Sequence, residues 1–334
     1  MEVGKLKNEV LGEIVLSEIH TVRDDILIRP NVGEDCTAVA FGDLACVLTT
    51  DPITGTDKNL GQLAVNICLN DIASSGAEAV GIMLTLLCPE ATTQETIGQI
   101  LREANETANQ YDVEIIGGHT EITNAVNRII VSATALGKTP IDRLIKTSGA
   151  ETGDYIYLTK TAGLEGTAII VNELEDELSG VLTKAEIQEA KDLIKQISVV
   201  NEGKIGMRTG ATAMHDATEG GVLGAIHELC EASGKGCKVK ADKITIHPVT
   251  ERLCEYYNIN PLKLISSGTM VMCIPQALAC DLEKALIDSR IAYSRVGIIT
   301  EERDKKLIMG DASVEEIFDY IDSPEADELY KVLK

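Results

Sequence analysis

Two short apolar runs, residues 36–41 and 45–50, flank the turn pair Gly42-Asp43 and read as adjacent strands, the second stopped at Asp51-Pro52. Over residues 59–75 the period changes. Leu60, Leu63, Ala64, Ile67, Cys68 and Ile72 recur at helical spacing, and Gly76 stands where a left-handed cap is wanted, which predicts a helix. A strand at 80–87 follows, then a helix from a Thr92-x-x-Glu95 capping box to about Tyr111. Strands at 113–116 and 128–136 complete the first half, with Gly117-Gly118 read as the turn that ends the former.

Residues 137–153 are polar and turn-rich, and place a domain boundary that divides the chain into 1–147 and 148–334. The second half restarts with a strand at 155–158 and a turn at 163–166. Helices are predicted near 183–196 and 201–209, and the segment 215–221 opens another to about Ala232. Strands near 269–275 and 293–298, with helices near 276–288 and 313–333, give an α+β pattern.

A length of 334 residues suits two domains, and 44% hydrophobic with 25% charged residues is a globular composition. Thirty basic against 53 acidic residues give a formal charge of −23, which repels a phosphate backbone, and aromatics at 3% leave little for base stacking. Nucleic acid and anionic membrane are therefore excluded as partners. The first residues carry no apolar leader and no apolar stretch is long enough to span a bilayer, so a cytoplasmic protein is expected. The nine cysteines are odd in number, form no C-x-x-C pair, and read as reduced core thiols.

Three acidic signals stand at element boundaries: Gly33-Glu34-Asp35, Thr50-Asp51-Pro52 and Asn70-Asp71. Each could face a cleft, where convergent carboxylates supply the hard oxygen ligands that Mg²⁺ takes beside phosphates. Each alone is more often a turn former, a cap or a solvated surface charge. Gly117-Gly118 would let the backbone approach an anion, although a glycine turn explains the same residues. Gly137-Lys138-Thr139 is not a P-loop, because Ser132 stands where that motif needs glycine, and the five histidines show no zinc spacing.

In order along the chain, Gly4-Lys5-Leu6, G-E-D-C-T-A-V at 33–39, T-T-D at 49–51, L-N-D-I-A-S-S-G-A at 69–77, G-G-H-T-E at 117–121 and H-D-A-T-E-G-G at 215–221 resemble the PurM-like superfamily of aminoimidazole ribonucleotide synthetase. Its hydrogenase-maturation, HypE-like branch is the nearest, and Asn260-Pro-Leu262 and Ser267-Gly268 extend the likeness. The resemblance implies an N-terminal α/β domain that dimerises through its sheet, an α+β C-terminal domain, and ATP with Mg²⁺ in a cleft. It implies Asp35, Asp51 and Asp71 as metal ligands, with Asp71 also serving catalysis. Gly33, Asn70, Gly117, Gly118, Thr120, Glu121, Asp216 and Thr218 are implied as nucleotide contacts, and Lys5 as a phosphate partner.

Two positions and the last residues depart from that pattern. His119 stands where several relatives have a carboxylate; it could act as a base or phosphate donor, or could be structural. Glu219 replaces the arginine of the HypE-like pattern, as in the thiamine-monophosphate kinase pattern; it reads as a further metal ligand or as a helix-start carboxylate. The last cysteine is Cys280, so HypE-type cyanide synthesis on a terminal thiol is not expected. Three functions follow from the resemblance. The first is ATP-dependent phosphorylation or dehydration of an amide- or carbonyl-type acceptor; the others are a small-molecule kinase and a non-catalytic metalloenzyme maturation factor that docks a partner.

Overall fold

The computed structural model describes residues 6, 8–54, 56–309, 316–323 and 326–333, so Lys5 lies outside the described residues. The first half runs α1 (Asn8–Ile14), β1 (Ile26–Ile28), β2 (Thr37–Phe41), β3 (Leu44–Ile53), α2 (Leu60–Ser74), β4 (Glu78–Cys88), α3 (Gln94–Asn109), β5 (Glu114–Ile122) and β6 (Ile130–Pro140). Its strands form one sheet in the order β1-β2-β3-β6-β4-β5. All pairs are antiparallel except β4 with β5, whose parallel pairing needs the crossover that α3 supplies.

The second half runs β7 (Tyr155–Thr159), α4 (Leu164–Glu173), α5 (Glu175–Leu178), α6 (Lys184–Asp192), α7 (Val200–Thr209), β8 (Ala213–Asp216), α8 (Gly221–Ser233), β9 (Gly236–Lys240) and α9 (Pro248–Tyr257). It ends with β10 (Met270–Ile274), α10 (Ala279–Asp288), β11 (Tyr293–Thr300), β12 (Lys305–Met309), β13 (Glu316–Tyr320) and α11 (Leu329–Val332). The sheet order is β13-β12-β9-β11-β7-β10-β8. Its central strands are covered on both faces, which is why Met270–Ile274 is an unbroken apolar run. Ile156 and Leu158 pack toward Val222 and Ile226 of α8 on one face, while Tyr157 packs with Met214, Met272 and Leu282 on the other.

Helix α2 joins the halves. Thirteen of its fifteen residues are buried, because the first sheet covers one side of it and α7 and β8 the other. Asn70 Nδ2 donates to the Ile197 carbonyl at 2.8 Å, and the Val199 N–H donates to Asn70 Oδ1 at 2.8 Å. Both ends of that amide thus serve the contact between halves, and the neighbouring Asp71 turns toward Thr49 of β3.

Several local expectations are corrected. Gly117-Gly118 is no turn: β5 continues through it, held by pairing with β4, and a Cβ on Gly118 (φ +147°) would meet the Leu84 carbonyl oxygen at 1.9 Å. The glycine is there for sheet closure. Thr93, not Thr92, caps α3, accepting from the Thr96 N–H at 3.1 Å. The predicted turn at 163–166 opens α4, whose residues Leu164–Val171 are buried. The predicted helix over 313–333 is instead β13 and the short α11 within the described residues, because Ile317 to Tyr320 pair with β12. Strands β1, β8, β9 and β12 and helices α1, α5 and α9 had no predicted counterpart.

Candidate active site

Four separate elements bring carboxylates together. Asp35 precedes β2, Asp51 lies near the end of β3, Asp71 is on α2, and Asp216 ends β8, where it pairs with Met270 of β10. The Thr49 hydroxyl donates to Asp71 Oδ2 at 2.6 Å, and the Asp51 Oδ2 lies 3.4 Å from the same hydroxyl. Asp71 is 4% exposed. Burial, then repulsion from Asp216, Asp51 and Asp35, holds its pKa well above the usual carboxylate value.

His215 clamps this cluster. Its Nδ1 is 2.5 Å from Asp35 Oδ2 and its Nε2 is 3.1 Å from Glu228 Oε2 on α8. Burial alone would lower the His215 pKa, but the Coulombic pull and hydrogen bond of Asp35, with those of Glu228, outweigh it and raise it. With a carboxylate on each ring nitrogen the ring is an imidazolium that donates to both. Donor atoms of Asp35, His215 and Asp216 lie within 4.8 Å of one another.

Asp35, Asp51 and Asp71 line one end of a cavity of about 570 Å³. Leu63, Ile67 and Ile169 form apolar walls, and Arg128 is the one basic side chain among the described residues that line it. Glu165, Thr218, Glu219, Ser267 and Tyr330 line it as well. The Tyr330 hydroxyl donates to Glu219 Oε1 at 2.9 Å. Asp327 accepts from the N–H groups of Gly220 at 2.7 Å, Leu329 at 2.8 Å and Ile265 at 3.2 Å. Burial pushes its pKa up to about 6, with those three bonds opposing the rise. Burial likewise pushes Glu165 up to about 7; Ser267 opposes the shift, while Asp327 and Glu219 add to it.

The structure therefore brings together Asp35, Asp51, Asp71 and Asp216, and sets Thr218 and Glu219 on the same cavity. Glu219 acts on Glu165, Asp327 and Tyr330, and is not among the carboxylates that perturb Asp71. Gly33 (φ +78°) is needed for packing, since a Cβ there would meet the Glu228 carbonyl oxygen at 2.9 Å. Asn70 is committed to the contact between halves. Gly117, Gly118, His119, Thr120 and Glu121 occupy the exposed edge strand β5 and do not line this cavity; His119 Nε2 lies 3.4 Å from Glu121 Oε2.

Sequence reading missed Thr49, Arg128, Glu165, His215 and Glu228. For Glu165 a signal existed, a lone carboxylate in the otherwise uncharged run Leu164–Val171.

The family model described as AIR synthase related protein, N-terminal domain, matches residues 33–139, and its C-terminal counterpart matches residues 151–310. A hydrogenase expression/formation protein of Methanocaldococcus jannaschii is 27% identical over 288 residues, 85% of this chain and 83% of the relative. Carbamoyl dehydratase HypE of Escherichia coli strain K12 is 25% identical over 254 residues, 74% of this chain and 73% of the relative. The crystal structure of hydrogenase maturation protein HypE in complex with ATP superposes with a TM-score of 0.68 at 16% identity, covering 99% of this chain and 97% of that one. The two family matches together take in well over half of the sequence, and the chain belongs to the AIR synthase related protein family, with two PurM-like domains.

Proposed function

We propose that this chain binds ATP with Mg²⁺ in the cavity between its two domains and uses it to phosphorylate or dehydrate an amide- or carbonyl-type acceptor. The observation that carries the reading is the convergence of Asp35, Asp51, Asp71 and Asp216 from four elements, with Asp71 buried among like charges. Such an arrangement is costly without a cation, and an all-oxygen carboxylate set suits Mg²⁺. Bound there, Mg²⁺ would neutralise phosphate oxygens and align the nucleotide. The HypE relative in complex with ATP and the carbamoyl dehydratase relative support the same choice of nucleotide and acceptor class.

The chain's own groups then divide the work. Thr49 fixes one Asp71 oxygen, His215 fixes Asp35, and the apolar walls exclude water from the reacting groups. Arg128, in an otherwise acidic lining, is the candidate phosphate donor. Homodimerisation through β5 would cover Ile116 and Ile122, which are 48% and 51% exposed. A role in metalloenzyme maturation is proposed from the same kinship; among the described residues no helix is long and apolar enough to cross a membrane.

Calorimetric titration with ATP tests the nucleotide reading. Binding is expected in the presence of Mg²⁺ and to fall away with EDTA, and Arg128→Ala is expected to weaken it by roughly tenfold with a shallower salt dependence. Equal affinity with and without Mg²⁺ would contradict the site.

A further inference from the structure

We propose that Glu165 and Ser267 are specificity-determining residues that select an acceptor presenting N–H donors, an amide or an amine, over a carboxylate or phosphate. The inference rests on the function proposed above for the same cavity, and assigns its second end.

Glu165 is 2% exposed and Ser267 0% exposed, and both line the cavity. Ser267 lies close enough to Glu165 to favour its carboxylate, yet among the described residues neither Glu165 Oε2 nor Ser267 Oγ sits in hydrogen-bonding geometry with a partner. Buried polar atoms are nearly always bonded, so two orphans side by side facing one cavity point to a ligand that completes them. A purely structural role does not explain a carboxyl in the apolar run Leu164–Val171, where glutamine or leucine would fill the space without the burden of a buried acid.

The chemistry of the missing partner follows from what surrounds them. Glu219 and Asp327 lie close enough to Glu165 to oppose its ionisation, and the Tyr330 hydroxyl already gives its hydrogen to Glu219. Asp327 is occupied by three backbone N–H groups. This end is therefore rich in acceptors and poor in donors. An anionic acceptor would be repelled. An N–H group can donate to Glu165, and an amide carbonyl can in addition accept from the Ser267 hydroxyl.

Saturation-transfer NMR at pH 8, where Glu165 with its pKa of about 7 is ionised, with butyramide, n-butylamine and butyrate as probes on the full chain without nucleotide, tests this. Butyramide and butylamine are expected to bind, with butyrate weaker by roughly tenfold or more. Glu165→Leu should lose about tenfold for both nitrogen probes, and Glu165→Gln, its near-isostere, should lose butylamine while keeping butyramide within a few-fold. Butyrate binding as tightly as butyramide, or unchanged binding in Glu165→Leu, would overturn the assignment. ATP titrated into the same proteins separates the two claims: absence of ATP binding in the parent would sink the nucleotide reading, while the probe ranking still decides the role of Glu165.

Discussion

Asp71→Asn is expected to weaken Mg²⁺-dependent ATP binding by at least roughly tenfold while melting no lower than the parent in metal-free buffer. The two effects have opposite signs for one reason. Asp71 is buried beside Asp216, Asp51 and Asp35, and its charge is disfavoured unless a cation is present. Asparagine keeps an oxygen that can accept from Thr49 and relieves the repulsion, but offers the metal a neutral ligand. Calorimetry with and without Mg²⁺, together with thermal melts in EDTA, reads both. Undiminished Mg²⁺-dependent affinity in the variant, or a large loss of metal-free stability, would count against the electrostatic account.

Glu165→Gln is expected to stabilise the protein in a pH-dependent way. Burial pushes the Glu165 pKa from the ordinary 4.5 of an exposed glutamate up to about 7. Below about 4.5 the carboxyl is protonated in folded and unfolded chains alike, and the substitution should change little on this account. Between about 4.5 and 7 the folded protein retains a proton that the unfolded chain has released, so the parent loses stability as pH rises, and the loss is complete above about 7. Glutamine has no such dependence. The gain from the substitution should therefore grow across that window toward about 3 kcal/mol, an upper figure for a shift of this size. Urea melts of both proteins at pH 4.5, 6 and 8 measure it; a gain that does not grow with pH would show that Glu165 is not held up by burial.

Much of the fold was legible because its signals are local. Helix α2 appeared with its Gly76 terminus, and β2, β3, β7 and β10 appeared as apolar runs bounded by turns. Elements fixed by pairing partners were not legible. Residues 316–320 contain the strand-favouring Ile317, Phe318 and Tyr320, but only pairing with β12 decides that they are a strand, and Gly117-Gly118 is held extended by pairing with β4. The site divided along the same line. Asp35, Asp51 and Asp71 could be chosen from their positions at element boundaries and from the order of the motifs that resemble the family. The clamp of Asp35 by His215, 180 residues away in sequence, exists only once β8 docks against the first domain. Glu219, a departure from the HypE-like pattern, lines the same cavity beside Glu165, Asp327 and Tyr330.

Asp35, Asp51 and Asp71 are proposed to hold a divalent ion on ATP in the cavity that both domains line. Co-crystallisation with Mn²⁺ and a non-hydrolysable ATP analogue, located by anomalous scattering, tests it most directly. A manganese peak bounded by Asp35, Asp51 and Asp71 is expected, with the nucleotide phosphates beside it in the cavity. A nucleotide bound elsewhere, or in the cavity with no metal at those three carboxylates, would contradict it.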